Sequence, residues 1–194
     1  MKTPPRSAHP TSHLYFQFPP LMPSARLQYE PLDEANAQEV FQLFTDDPNP
    51  FIIEDYKQEE LWEQYVQQHL FSIRYSLKRA GYDWVYRLRQ AEGAVVGMIN
   101  LYGLSRETGE GQRNTATIGF TTGMAFRRQG YTQEAIHQLV AYIFQHFDVA
   151  AVVAFTERDN EPSQRLLQKV GFVPMPHDTS NRFHYFERMR EGAP

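Results

Sequence analysis

Residues 118–132 read IGFTTGMAFRRQGYT and contain the most informative pattern in the chain. A segment typical of a strand passes into a loop that carries two arginines and a glycine. The loop opens directly into residues 130–147, where Ile136, Leu139 and Ile143 recur at helical spacing. This order predicts a strand, then a loop, then a helix whose N-terminus lies beside the loop.

The predicted loop has the chemistry of a phosphate site. Gly130 allows the backbone to turn and to approach a ligand closely. The first turn of the helix has free N–H groups and the positive end of the helix dipole, which together attract a phosphate. Arg127 and Arg128 add charge-assisted hydrogen bonds. A plain turn with two solvated arginines explains the same residues, so the loop alone leaves both interpretations open.

Hydrophobic periodicity and turn residues predict a mixed α/β layer with an antiparallel front and a βαβ-like back. The predicted elements are a strand at 26–32, a helix capped by Asp33 and stopped at Asp47, a helix at 58–79, strands at 84–88, 95–104 and 115–122, the helix at 130–147, a strand at 149–156, a helix at 162–170 and a strand at 183–189. Prolines are concentrated in residues 1–25, which are predicted to form an irregular N-terminal tail before a single domain at 26–190.

Composition narrows the class of protein. The chain has 194 residues, which is the size of one domain, and its 41% hydrophobic content is that of a globular protein. It has no cysteine, so disulfides, thiolate metal sites and a cysteine nucleophile are excluded. The net charge of −4 argues against a nucleic-acid partner, and no apolar run approaches the roughly 18 residues that span a membrane. We expect a cytoplasmic protein.

Three motifs resemble those of a known family. Residues 127–132, RRQGYT, resemble the coenzyme A pyrophosphate loop of GNAT acetyltransferases, Gln/Arg-x-x-Gly-x-Gly/Ala, with Thr132 in place of the small residue. The flanking IGF at 118–120 and QEA at 133–135 resemble the type that acetylates N-termini of ribosomal proteins, the ribosomal-protein-alanine N-acetyltransferases. DNEPS at 159–163 and LLQKVGF at 166–172 resemble the family's Asn-x-x-Ser and Leu-x-Lys-x-Gly-Phe. The resemblance covers residues 26–189.

The resemblance implies a GNAT fold of the α/β (α+β) class, with a mixed, mostly antiparallel central sheet of six to seven strands and helices on both faces. It also implies an N-acetyltransferase that uses acetyl-CoA as co-substrate and needs no metal. The residues implied in binding acetyl-CoA are Phe120, Thr121, Thr122, Arg127, Arg128, Gln129, Gly130, Tyr131, Thr132 and Asn160. The strand at 120–122 would offer an N–H group to the thioester carbonyl, and a splayed partner strand would leave a gap for the pantetheine arm. Asn160 is also a good helix N-cap.

In the family the amine attacks the thioester directly, so the acceptor must lose a proton first. At pH 7 this costs about 4.6 kcal/mol for a lysine amine and about 1.1 kcal/mol for an N-terminal amine. Relatives that act on lysine place a glutamate on the strand before the phosphate loop, but residues 114–118 read NTATI. The sequence therefore favours an α-amine, with water passing the proton. Where many relatives carry a tyrosine as general acid this chain has Leu167, which leaves Ser163 as the candidate; Glu157, His184 and Glu187 are further candidates.

Several alternatives remain open at this stage. Residues 46–63 hold seven acids and one lysine, which either attract a cationic acceptor or form an ordinary solvated helix face. The chain is either an active N-acetyltransferase or an acyl-CoA-binding or sensor protein without strong activity, and the acceptor is either a peptide N-terminus or a small polyamine. We expect neither a nucleic-acid nor a membrane partner, and the sequence leaves a homodimer open.

Overall fold

The structure is a computed structural model and describes residues 19–74, 81–90, 93–105, 113–176 and 182–192. Its elements are β1 (Leu27–Pro31), α1 (Ala37–Phe44), α2 (Glu59–Arg74), β2 (Tyr82–Leu88), β3 (Val95–Ser105), β4 (Thr115–Thr122), α3 (Tyr131–His146), β5 (Ala151–Glu157), α4 (Glu161–Lys169), β6 (Val173–Pro174) and β7 (Phe183–Met189). The strands form one seven-stranded sheet in the order β1-β2-β3-β4-β5-β7-β6. Only β4 and β5 pair in parallel, so the predicted mixed, mostly antiparallel sheet is confirmed.

Helices cover both faces of the sheet, as predicted, and each face has its own core. On one face α3 and α4 bury Ile136, Leu139 and Leu167 against the strands. On the other face α1 and α2 pack against side chains that include Met98 of β3. The next residue of β3, Ile99, belongs to the first core, because successive side chains of a strand point to opposite faces.

The boundaries of β4 and β7 coincide with the predicted ones, and α3 begins one residue later than expected. Gly130 occupies its N-cap position with a left-handed φ of 80°, which glycine adopts without strain. The strand β6 was not predicted, because two residues are too short for a periodic pattern. Residues 75–79 of the predicted helix and residues 106–112 of the predicted link at 105–114 lie outside the described residues.

The predicted role of Asp33 as cap of the first helix is wrong. The helix α1 begins at Ala37 after Asn36. Asp33 Oδ1 instead accepts hydrogen bonds from the backbone N–H groups of Ala35 at 2.8 Å and Asn36 at 3.1 Å. The carboxylate thus closes a separate turn that precedes the helix, a usual arrangement for an aspartate in a turn.

The segment before β1 packs on the body of the fold. Residues 19–25 have no helix or strand, yet Leu21 is 4% exposed and belongs to the α3 core. The Tyr142 hydroxyl donates to the carbonyl of Pro19 at 2.7 Å, and Gln138 Nε2 donates to the carbonyl of Met22 at 2.9 Å. Part of the predicted tail is therefore a structural strap along α3, while residues 1–18 lie outside the described residues. In the ranges that the structure describes, no helix has the length and apolar character to cross a bilayer.

Candidate active site

The sheet parts between β4 and β5. Their ladder starts at the pair of Thr115 with Ala151 and ends at the pair of Ile118 with Ala154. Beyond this point β4 continues to Thr122 beside β3, and β5 continues beside β7. Backbone groups of residues 119–122 that turn toward β5 thus leave the ladder and line a gap, in the place where the splayed strand was predicted.

A cavity of about 730 Å³ lies at this gap, between the loop before α3, the start of α4 and the segment after α1. It brings together most of the residues selected from the sequence, namely Phe120, Thr121, Thr122, Arg127, Arg128, Gly130, Thr132, Asn160 and Ser163. Gln129 and Tyr131 are not among the residues that line it. Three segments far apart in the chain therefore converge on one site.

The charged side chains that line this cavity are all cationic. They are Arg127, Arg128, Arg165 and Lys169, and none of the described lining residues is a carboxylate. The acid-rich segment at 46–63 contributes Pro48, Asn49, Phe51 and Ile52 to the wall, whereas its acids other than Asp47 are exposed elsewhere. A cavity with this charge suits a ligand that carries several phosphate groups.

The two adjacent arginines of the loop have different surroundings. Arg127 Nη2 forms an ion pair with Asp47, and its Nε donates to the carbonyl of Thr122 at 3.1 Å. The Asp47 side chain is 1% exposed, so the protein itself neutralises Arg127. Arg128 is exposed, and within the described chain no hydrogen bond or ion pair holds its guanidinium. Of the two, Arg128 is the arginine whose charge is free for a ligand.

Gln129 and Tyr131 shape the loop from outside the cavity. Gln129 Nε2 donates to the carbonyl of Ala125 at 2.8 Å, and the carbonyl of Gln129 accepts from Arg26 Nη1 at 3.0 Å. The Arg26 guanidinium also lies 4.4 Å from the centre of the Tyr131 ring and pairs with Glu134 at 2.7 Å. Both residues therefore fix the backbone that precedes α3.

A chain of hydroxyl groups connects the sheet with the start of α3. The buried Tyr86 hydroxyl lies 2.7 Å from Thr122 Oγ1, which lies 2.5 Å from Thr132 Oγ1. Tyr86 also donates to the carbonyl of Thr121 at 3.1 Å. Burial raises the pKa of Tyr86 to about 12, so it stays a neutral phenol. Thr132, which departs from the family pattern, uses its hydroxyl in this chain.

Asn160 and Ser163 meet at the start of α4. Asn160 Oδ1 accepts a hydrogen bond from the backbone N–H of Ser163 at 3.3 Å, so Asn160 is the N-cap of this helix. Both side chains line the cavity as well. The further candidates Glu157 and Glu187 instead form ion pairs, with Arg182 at 2.6 Å and with Arg113 at 2.7 Å.

A polar cluster on the α2 face of the sheet was missed in the sequence. Asp83 of β2 is 2% exposed and accepts hydrogen bonds from Tyr65 and Asn100, and it lies 3.3 Å from His69 Nδ1. One signal was visible: Trp62, Tyr65 and His69 repeat at helical spacing on α2. The other was an acid in a strand that is otherwise mostly apolar.

Residues 26–173 match the family described as the acetyltransferase (GNAT) domain. The chain belongs to the GNAT acetyltransferases. Two proteins of Bacillus subtilis (strain 168) are similar in sequence. The "Uncharacterized N-acetyltransferase YoaA" is 26% identical over 79% of this chain and 82% of its own length. The "Uncharacterized N-acetyltransferase YjdG" is 30% identical over 54% of this chain and 59% of its own length.

Solved structures share the fold at low sequence identity. The ribosomal-protein-S5-alanine acetyltransferase of Vibrio fischeri has a TM-score of 0.68 and 14% identity, over 89% of this chain and 97% of that one. RimL, a ribosomal L7/L12 alpha-N-protein acetyltransferase solved with coenzyme A, has a TM-score of 0.65 and 14% identity, over 87% and 97%. The spermidine N-acetyltransferase SpeG of Vibrio cholerae has a TM-score of 0.63 and 13% identity, over 86% and 95%. The family match and the two sequence relatives make the chain an acetyl-CoA-dependent N-acetyltransferase, and the structural likenesses leave its acceptor open.

Proposed function

We propose that this acetyltransferase transfers the acetyl group of acetyl-CoA to the α-amine of a peptide or protein. One observation supports this acceptor above others. The positions of β4 that face away from α3 are Thr115, Thr117, Gly119 and Thr121, since Ala116 and Ile118 belong to the α3 core. The strand therefore carries no carboxylate beside the gap that could take a proton from a lysine.

The cost of deprotonation then decides between the two kinds of amine. At pH 7 a lysine amine with a pKa near 10.4 is neutral in only about one molecule in 2,500. An α-amine with a pKa near 7.8 is neutral in roughly one in seven. Without a strong base at the gap, the α-amine has an advantage of several hundredfold in reactive fraction, about 3.5 kcal/mol.

In the proposed complex the pyrophosphate lies at Arg128, Gly130 and the first turn of α3. The free guanidinium of Arg128 and the unpaired N–H groups of the helix start support this placement. The pantetheine arm follows the gap, where an N–H group of residues 120–122 polarises the thioester carbonyl. Ser163 lines the same cavity and supplies a hydroxyl to the departing thiolate.

A small polyamine is the second candidate acceptor. The exposed acids Glu54, Asp55, Glu59 and Glu60 supply an attractive field for a polycation on the acceptor side. The cationic cavity itself repels one, so a polyamine would have to remain outside the cofactor site. The field would favour peptides with cationic ends as well, and its effect fades with salt.

The test compares amines that differ only in the reacting group. One peptide is N-blocked with a free lysine, its matched partner is N-free with the lysine blocked, and spermidine is the third acceptor. Release of free coenzyme A gives the rate, and mass spectrometry locates the acetyl group. We expect the N-free peptide to react at least a hundredfold faster at pH 7, with the gap narrowing toward pH 9. A faster reaction with the lysine peptide or with spermidine at pH 7 overturns the proposed acceptor.

A further inference from the structure

The buried polar cluster of β2 lies in line with the point where the sheet parts. Asp83 is paired with Asn100 of β3, and Asn100 is paired with Gly119 of β4. Residues directly opposite each other on neighbouring strands share a face, and neighbouring strands lie about 4.8 Å apart. Asp83 is therefore roughly 10 Å from Gly119. Gly119 is the first residue beyond the β4–β5 ladder, so the cluster extends to the gap.

The hydrogen bonds of the cluster leave two acceptors without donors. The oxygens of Asp83 accept from the Tyr65 hydroxyl at 2.6 Å and from Asn100 Nδ2 at 2.7 Å, and His69 Nδ1 lies 3.3 Å away. Since a carboxylate only accepts, we assign the hydrogen to Nδ1 and the lone pair to Nε2. His69 Nε2 and Asn100 Oδ1 are buried, and neither has a hydrogen-bond partner among the described residues. Buried acceptors of this kind favour a donor from outside the protein.

His69 is neutral in this environment. Desolvation by burial lowers the pKa of His69 below its usual value, and the opposing effect of Asp83 is smaller. The other titratable groups around it are Tyr56 from the turn Glu54–Tyr56, Tyr65 from α2, Tyr82 and Asp83 from β2, and Tyr102 from β3. Burial raises the pKa of Tyr56, Tyr65 and Tyr102, so these phenols keep their protons.

Tyr102 connects the cluster with the gap. Its ring lies against Gly119, where a Cβ atom would come within 2.5 Å of the Tyr102 hydroxyl oxygen. It also stacks on Phe155 of β5 at 6.5 Å and is 45% exposed, so its ring extends from β3 across Gly119 toward β5, where the β4–β5 ladder has ended. Desolvation by burial raises the pKa of Tyr102 to about 12, and the charge of Asp83 contributes to the increase. The Tyr102 hydroxyl is therefore close to Gly119, at the edge of the gap, and within the electrostatic range of Asp83.

We propose that His69, oriented by Asp83, accepts the proton that the acceptor amine releases, through a water molecule beside the Tyr102 hydroxyl. The inference rests on the proposed function. An N–H bond of the ammonium breaks and Nε2 gains the proton, while Asp83 stabilises the imidazolium. The freed lone pair of the amine forms the C–N bond as the C–S bond breaks. The second amine proton goes to the thiolate, and His69 returns its proton to solvent.

This proton acceptor suits the proposed acceptor. Because the pKa of His69 is lowered below that of a free histidine, proton transfer to it is uphill from either amine, but by about 2.6 pKa units less from an α-amine near 7.8 than from a lysine near 10.4. Asp83 acts through His69 and is a positioning residue. The weak basicity of His69 therefore favours an α-amine. The absence of an acid on β4 favours the same class of amine.

The experiment compares His69→Gln with His137→Gln across pH, with the N-free peptide as acceptor. His137 is an exposed histidine of α3 and serves as the matched control. Loss of a general base costs about a hundredfold in rate. We expect His69→Gln to lose about this factor at pH 7 and less than about threefold at pH 9.5, because the amine then arrives already neutral. His137→Gln should follow the wild type at every pH.

An equal loss at every pH, or no loss, overturns the proposed role of His69. If the wild type releases no coenzyme A with any of the amines, the proposed function itself fails. Calorimetry with acetyl-CoA shows whether His69→Gln is folded. If His69→Gln does not fold, nitrogen NMR of His69 in the wild type tests the proposal instead. A hydrogen on Nε2 at pH 7 contradicts the proposal, and an unprotonated Nε2 supports it.

Discussion

Arg127 and Arg128 are neighbours in the loop before α3, but their replacement should have different consequences. Arg127→Ala removes the partner of Asp47, whose side chain is 1% exposed. Arg128→Ala removes a guanidinium that no described residue holds. We expect the first variant to lose stability and the second to lose affinity for acetyl-CoA.

The stability cost follows from the burial of Asp47. A buried carboxylate left without its partner costs about 3–5 kcal/mol. Arg127 is itself 30% exposed, and Asp47 keeps a hydrogen bond from the backbone N–H of Asn49 at 3.0 Å. These two facts place the expected loss at about 2–3 kcal/mol. For a chain of this length that lowers Tm by about 5–10 °C.

The affinity cost follows from the free charge of Arg128. An exposed charge-assisted hydrogen bond to phosphate contributes about 1–2 kcal/mol, or close to tenfold in Kd. The backbone at Arg128 has a φ of 61°, but alanine and arginine have the same Cβ, so the strain does not change. Arg128→Ala should therefore melt within about 2 °C of the wild type.

The assay pairs thermal melting without ligand with calorimetric titration of acetyl-CoA. A third variant, Asp47→Asn, removes the charge of the partner and keeps its shape, so it should lose less stability than Arg127→Ala. The reasoning is refuted if Arg127→Ala melts like the wild type, or if Arg128→Ala binds acetyl-CoA unchanged. Either result would contradict the role assigned to that arginine.

Three further outcomes are expected. Leu21→Ala should lower the free energy of unfolding by about 3 kcal/mol, because it removes a buried side chain. Met22→Ala, at the exposed neighbouring residue, should change this free energy by less than about 0.5 kcal/mol. Equal denaturant midpoints for the two variants would show that the strap does not pack on the core. Tyr86→Phe should cost about 1 kcal/mol in chemical denaturation, because Thr122 loses one partner of its hydroxyl. At Glu134, hydrogen bonds outweigh desolvation and lower the pKa, so its stabilisation is present at neutral pH and is lost as pH falls through that lowered value. Glu134→Gln should thus be less stable than the wild type at pH 7, and the difference should shrink as the pH falls below 4.5; a difference that stays constant over that range would contradict this.

The elements that were predicted well have local signals. The strand β4 and the helix α3 are neighbours in the chain, and their turn is set by Gly130 within the same short stretch. Hydrophobic periodicity and the glycine before the helix can be recognised from the local sequence, without any knowledge of tertiary contacts. This is why the order of strand, loop and helix could be predicted from the residues of this stretch.

The contacts that were missed join residues distant in sequence. Asp47 and Arg127 are 80 positions apart, and the sequence around each residue gives no signal that they form an ion pair. His69 and Asp83 meet only because α2 packs on β2. The prolines before β1 correctly predict an irregular backbone, but irregularity does not prevent Leu21 from reaching the core. Such contacts depend on how helices and strands pack against each other, and hydrophobic periodicity does not predict this packing.

Because β4 and β5 separate at the proposed cofactor site, we expect the stability of the folded protein to depend on bound acetyl-CoA. In the described sheet, four residue pairs join the half that contains β1–β4 to the half that contains β5–β7. A bound acetyl-CoA that spans the opening adds contacts to both halves, and a ligand at a hundred times its Kd adds about 2.7 kcal/mol of stability. Proteolysis and hydrogen exchange sample the opened state in proportion to its population. We therefore expect those amides of residues 119–122 that turn toward β5 to exchange rapidly without ligand, and the abundance of the enzyme in a cell to rise and fall with the acetyl-CoA pool.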